Sequence, residues 1–123
     1  MTNYFLDTYA LISIIRGVEG YKKFLSSTFF TTIYNLYEFY YILLRDNGEE
    51  IAKKYYLEFK EIQLEIEDEH IFLASRFRLL YRKKKFSYAD CLGYTIAIEK
   101  NIKFLTGDKE FEGLENVEFV REK

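Results

Sequence analysis

The chain contains no proline, one cysteine, one histidine, and five aspartates against fifteen glutamates. Without proline, a Ser/Gly tract or an internal repeat there is no linker or disorder signature, so the 123 residues are expected to form one domain over 1–123. A lone Cys91 cannot make an intramolecular disulfide or a thiolate metal cluster, which suits a reducing cytoplasm. A lone His70 rules out RNA cleavage by a pair of histidines acting as acid and base, and its place at a helix start predicts a structural role. No apolar run approaches the roughly 18 residues of a membrane span, and no basic-then-apolar leader is apparent, so the expected location is cytoplasmic, away from membranes. With a net charge of −2, any nucleic-acid partner would need a local basic patch or bound cations.

What is present is apolar and aromatic: 49% of residues are hydrophobic and 20% are Phe or Tyr, enough for a large core. The pattern alternates strand and helix. Tyr4 to Leu6, Thr28 to Thr31, Ile62 to Ile66, the stretch ending at Thr106 and the C-terminal VEFV read as five short strands. Helical spacing runs from Thr8 to Arg16, Val18 to Leu25, through TTIYNLYEFYYILLRDNG, from Glu49 to Lys60, Asp68 to Lys83, and onward from Ser87. The alternation predicts an α/β fold: a three-layer α/β/α sandwich around a central, mainly parallel five-stranded sheet.

Parallel sheets bind ligands outside the carboxyl ends of their strands. Asp7 ends the first strand and Asp108 follows KFLTG, while Asp90 opens the preceding helix and Glu38 lies within the helix after TFFT. Three of only five aspartates thus occupy candidate site positions. Each has an ordinary alternative. Asp7 is placed to cap the next helix, Ser87 and Asp90 have capping-box spacing, and Asp108 stands in a turn beside Gly107. Glu38 lies on a helix that is aromatic or apolar nearly all round, with Asn35 and Arg45 as the only hint of a surface seam. Four carboxylates at one sheet edge repel one another unless a cation neutralises them. All-oxygen ligands suit Mg²⁺ or Mn²⁺, which activate water and stabilise charge developing on a phosphate.

At these residues the sequence resembles the PIN-domain nucleases, and among them the small VapC-type toxins. FLDTYAL resembles the first family motif, FFTTIYNLYEF the second, and SYADCLGYTIAIEKNIKFLTGD the last two. The resemblance implies Asp7, Glu38, Asp90 and Asp108 as catalytic metal ligands, with Thr8 and Thr106 as hydroxyls beside the site. It also implies an Mg²⁺- or Mn²⁺-dependent endoribonuclease, a homodimer, and in the VapC branch a toxin paired with a small antitoxin. An RNA-processing or RNA-binding domain without toxin behaviour is the alternative. Residues 46–85 carry no family motif, and Gly93 stands where a helix former is expected, which predicts close packing there. Arg82, Lys83, Lys84 and Lys85, directly before the helix bearing Asp90, are candidates to contact the RNA backbone, the alternative being a solvated helix end. Other phosphate chemistries fit less well: Tyr9 occupies the second Asp of a haloacid-type phosphatase motif, and neither GxxxxGK nor GxSxG occurs.

Overall fold

The computed structural model describes residues 2–121. Strands β1 (Asn3–Leu6), β2 (Thr28–Phe30), β3 (Lys103–Thr106) and β4 (Val117–Phe119) form one sheet in the order β2-β1-β3-β4, with every pairing parallel. Parallel neighbours require crossovers, and helices supply them. The first runs through α1 (Thr8–Ile15) and a 3-10 segment (Glu19–Phe24) and sets β2 on one side of β1. The next runs through α2 (Ile33–Asn47), α3 (Glu49–Phe59), α4 (Asp68–Leu80) and α5 (Tyr88–Glu99) and sets β3 on the other side. Strand order therefore reverses between β1 and β3, which creates a ligand crevice outside their carboxyl ends.

Successive strand side chains point to opposite faces, and both faces are covered. Tyr4, Leu6 and Leu105 join one buried cluster with Leu11 of α1 and Leu36, Phe39 and Leu43 of α2. Phe5 and Phe104 point the other way, into a cluster with Leu92, Tyr94 and Ile96 of α5. Phe104 is the hinge of an aromatic stack, with centroids 5.7 Å from Phe5, 5.5 Å from Tyr94 and 4.6 Å from Phe111. This packing fixes β1 against β3, and with it the two aspartates that follow them.

The expected fifth strand does not form. Over Ile62–Ile66 the backbone makes an isolated parallel bridge, Thr31 to Gln63, supported by Leu64 N–H donating to the Thr31 carbonyl at 2.8 Å. The period-two pattern is still honoured in exposure: Ile62, Leu64 and Ile66 are half-buried, Gln63 and Glu65 exposed. What is missing is a partner. β2 is three residues long, and Thr32 already caps α2, accepting from Asn35 N–H, so no ladder can continue beyond Thr31. The helical spacing over Val18–Leu25 is realised as the 3-10 segment, which buries Tyr21 and Phe24.

Gly93 has the role its position predicted. A Cβ there would lie 2.7 Å from Phe5 Cε1 and 2.9 Å from its Cζ. The Phe5 ring is fully buried against Phe104 and has nowhere to move. Gly93→Ala is therefore expected to lower stability by about 2 kcal/mol, overpacking outweighing the ~1 kcal/mol gain in helix propensity. Urea unfolding of the two proteins measures this, and an unchanged or raised midpoint would show that α5 does not need the gap.

Candidate active site

Asp7 leaves β1 in extended conformation (φ −77°, ψ 177°), and its Oδ1 accepts the Ala10 N–H at 2.8 Å, capping α1. Its Oδ2 accepts from the Thr106 hydroxyl at 2.5 Å. The same Thr106 oxygen accepts the Asp108 N–H at 3.0 Å, while Asp108 Oδ1 accepts from Glu110 N–H, also at 3.0 Å. Thr106 is thus fully buried between the two aspartates, tying the end of β1 to the end of β3. Asp7 is 1% exposed, and burial is the main reason its pKa is pushed up to about 8. The hydrogen bonds from Thr106 and Ala10 oppose that rise, and the charges of Asp90 and Asp108 add to it.

Asp90 and Ser87 cap α5 reciprocally: Asp90 Oδ2 accepts Ser87 N–H at 2.8 Å, and Ser87 Oγ accepts Asp90 N–H at 3.0 Å. Burial again dominates, raising the Asp90 pKa to about 6 against the Ser87 N–H, with Asp108 and Glu38 adding repulsion. Glu38 is oriented from α1. Thr8 Oγ1 donates to Glu38 Oε1 at 2.7 Å, Asn35 Nδ2 donates to Thr8 Oγ1 at 3.2 Å, and Thr32 Oγ1 donates to Asn35 Oδ1 at 2.7 Å. Asn35 and Thr32 are fully buried. Asn35 is therefore no part of a surface seam; it locks the hydroxyl that holds Glu38.

Asp7, Glu38, Asp90 and Asp108 all line one open cavity of about 630 Å³, together with Thr8 and Ser87. They share it without being drawn together. Among the described residues no three Asp, Glu, His or Cys side chains stand close enough together to hold a metal ion as they are placed. Neighbouring carboxylates nonetheless feel one another: Asp90 and Asp108 add to the raised pKa of Asp7, and Asp108 and Glu38 to that of Asp90. The donor set fits a hard divalent ion. It is all oxygen, carries up to four negative charges and, at Asp7, includes a buried carboxylate whose ionisation in a dry site calls for a cation.

The predicted basic run lies elsewhere. Arg82 donates to the Leu79 carbonyl at 3.2 Å, Lys84 Nζ to the Glu110 carbonyl at 2.9 Å, and Lys85 N–H to the Glu110 carboxylate at 3.0 Å. Neither these residues nor Lys83 lines the cavity. His70 is structural, as expected: it is buried, its Nδ1 accepts Glu67 N–H, and its Nε2 meets Glu99 Oε1 at 2.7 Å. Two cationic residues also line the cavity, Arg16 and Arg45, neither of which the sequence marks as a site residue. The available signal was spacing: Thr8, Ile12 and Arg16 form one stripe of α1, and Glu38, Ile42 and Arg45 one stripe of α2.

A sequence profile of the PIN domain matches residues 4–117. The chain belongs to the PIN domain family. Among solved structures, a toxin–antitoxin complex from Klebsiella pneumoniae superposes with TM-score 0.75 at 17% identity, covering 98% of this chain and 99% of that one. VapC20 of Mycobacterium tuberculosis, described as a sarcin-ricin loop cleaving toxin, gives TM-score 0.76 at 18% identity over 96% and 99%. VapBC2 of Rickettsia felis, bound to a fragment of its promoter DNA, gives 0.69 at 20% over 96% and 97%. These likenesses establish the parallel sheet flanked by helices. No curated protein matches the sequence. No helix among the described residues is long and apolar enough to cross a membrane.

Proposed function

We propose that the protein is a divalent-metal-dependent endoribonuclease that hydrolyses RNA phosphodiester bonds and acts as the toxin of a type II toxin–antitoxin pair. The observation that carries this reading is the convergence of Asp7, Glu38, Asp90 and Asp108, from four separate parts of the chain, on one cavity at the carboxyl ends of β1 and β3. These four residues would hold Mg²⁺ or Mn²⁺; such an ion, when bound, activates water and stabilises the charge that develops on the phosphate. The chain's own part is positioning. Thr106 keeps Asp7 and Asp108 in fixed relation, Thr8 and Asn35 set the Glu38 carboxylate, and Ser87 holds Asp90 at the head of α5. The run Arg82 to Lys85, outside the cavity, would attract the RNA backbone at long range. The toxin assignment, with a small antitoxin partner, a homodimeric state and cytoplasmic action, is supported by family membership and by toxin–antitoxin proteins among the structural relatives.

Asp90→Asn tests the site without disturbing the cap, because the amide oxygen can still accept Ser87 N–H. The parent is expected to cut single-stranded RNA with Mg²⁺ or Mn²⁺ and to stop with EDTA, and the variant to cut roughly a hundredfold more slowly or not at all. Equal cleavage by parent and variant would mean the carboxylates are not the active site. Expressing the parent alone should arrest growth and the Asp90→Asn protein should not; cleavage without arrest would favour an RNA-processing enzyme.

A further inference from the structure

The acidic cavity has a second end of opposite sign. On α1, Thr8, Ile12 and Arg16 follow one another at four-residue spacing, and on α2 Glu38, Ile42 and Arg45 run alongside them. Thr8 and Glu38 meet at the acidic end. Ile12 and Ile42 line the middle, and the two guanidiniums stand at the far end. At 1.5 Å per residue the arginines lie roughly 10–12 Å along the helices from the Thr8–Glu38 contact. That is too far to neutralise the carboxylates, so the guanidiniums do not stand in for the metal.

Both arginines converge on Asp46. Arg16 donates to Asp46 Oδ2 at 2.7 Å, and Arg45 reaches Oδ1 at 2.8 Å through Nε and Oδ2 at 3.2 Å through a terminal nitrogen. The Arg45 guanidinium also lies 5.9 Å from the Tyr41 ring centroid. Their side chains are 52% and 57% exposed, and ion pairs so exposed add little to stability. The fold does not depend on these pairs, and both guanidiniums are open to a ligand from solvent. A guanidinium has five N–H donors, and the contacts with Asp46 use one from Arg16 and two from Arg45. Two arginines and one aspartate leave a net charge of +1 facing the cavity, with planar forks that match phosphate oxygens.

We propose that Arg16 and Arg45, aligned by Asp46, form a subsite for an RNA backbone phosphate flanking the one that is cut. This rests on the ribonuclease reading above and adds to it how the strand is held. The apolar stretch at Ile12 and Ile42 spaces the two phosphate positions, and the strand runs along the α1–α2 wall. An acidic cavity on its own repels RNA, so much of the affinity in this reading comes from the arginine end.

The test is a double variant, Arg16→Gln with Arg45→Gln, against parent and against Lys100→Gln with Lys103→Gln. The control removes the same charge at the opposite, amino-terminal edge of β3. Cleavage of a labelled single-stranded RNA with Mg²⁺ is expected to show KM raised about tenfold for the arginine variant, kcat within about twofold, and no change in the control. RNA binding measured by anisotropy over a salt series should lose about 0.7 from its log–log slope, the share of one single-strand phosphate contact. Unchanged KM and slope in a protein that still cuts would overturn the subsite and leave the nuclease standing. A kcat loss at constant KM would overturn it too, by moving the arginines into the chemistry. So would loss of antitoxin binding with RNA constants intact, which would make this end a protein contact. A parent that neither cuts nor binds RNA would bring down the ribonuclease reading, and the subsite with it.

Discussion

Replacing Asp7 with Asn is expected to abolish cleavage while making the metal-free protein more stable at pH 8. The loss should be roughly a thousandfold, the size expected when several kcal/mol of ion-supplied stabilisation is withdrawn. The gain follows from burial. Asp7 is buried at the end of β1 with a pKa pushed up to about 8, so holding it ionised there is costly. Asn keeps an oxygen for Ala10 N–H and carries no charge to desolvate. Against that, the Thr106 hydroxyl loses its carboxylate acceptor, which reduces the benefit. The net expectation is about 2 kcal/mol of added stability at pH 8 in EDTA, vanishing only well below pH 3.8, where Asp7 is protonated in both states. Urea unfolding at the two pH values, beside an RNA cleavage assay, measures both halves. An inactive variant that is also less stable at pH 8 would show that Asp7 is primarily a cap, with its charge well compensated.

Metal and pH should be linked through the same cavity. The folded-state pKa of Asp7 is raised from 3.8 to about 8 and that of Asp90 from 3.8 to about 6. Because both are raised, the unfolded chain releases these protons first as pH increases, and the folded protein loses stability relative to it. Their contribution is fully present below 3.8, is lost for Asp90 by about pH 6, and for Asp7 continues to fall through about pH 8. Together the loss is on the order of 8 kcal/mol over that whole range and roughly 5 kcal/mol between pH 5 and pH 8, comparable to the whole stability of a small domain. In EDTA the urea midpoint should therefore drop markedly between pH 5 and pH 8. Saturating Mg²⁺ should restore most of it at pH 8 and little at pH 5, where the ion must displace protons to bind. A midpoint independent of both pH and Mg²⁺ would mean that the carboxylates are too far apart to act as one site.

The candidate site positions were legible one at a time because local patterns mark them. Asp7 follows a short buried strand, Asp90 stands three residues after a capping serine, and Asp108 follows KFLTG. Each reads equally well as a cap or a turn residue, and each does act as one: Asp7 for α1, Asp90 for α5, and Asp108 for the 3-10 segment Lys109–Phe111. Capping and ligation are compatible, since a carboxylate oxygen accepting one N–H retains a lone pair. The role of Asn35 was less visible. Next to Glu38 on a helix and polar, it suggested a seam, yet it faces inward to Thr8 and Thr32. Periodicity does not tell a polar residue at the surface from one buried with its partners, because the partners come from α1, 27 residues away, and from the α2 cap.

By itself, the sequence determined the alternation of strand and helix, the covered aromatic core, the caps that start α1 and α5, and the four acidic positions. Those features depend on neighbours within a turn or a strand's length, and local chemistry suffices to set them. Only the tertiary structure decided that the sheet has four strands, that Thr106 binds Asp7 across 99 residues, and that the basic run stays outside a cavity whose far end is built from Arg16 and Arg45. Those outcomes depend on which backbone edge remains available for pairing and on how α1 and α2 lie side by side. Both are set by long-range packing, around Phe5 and Phe104 on one face of the sheet and around Leu6, Leu11 and Leu36 on the other, which no short stretch of the chain encodes.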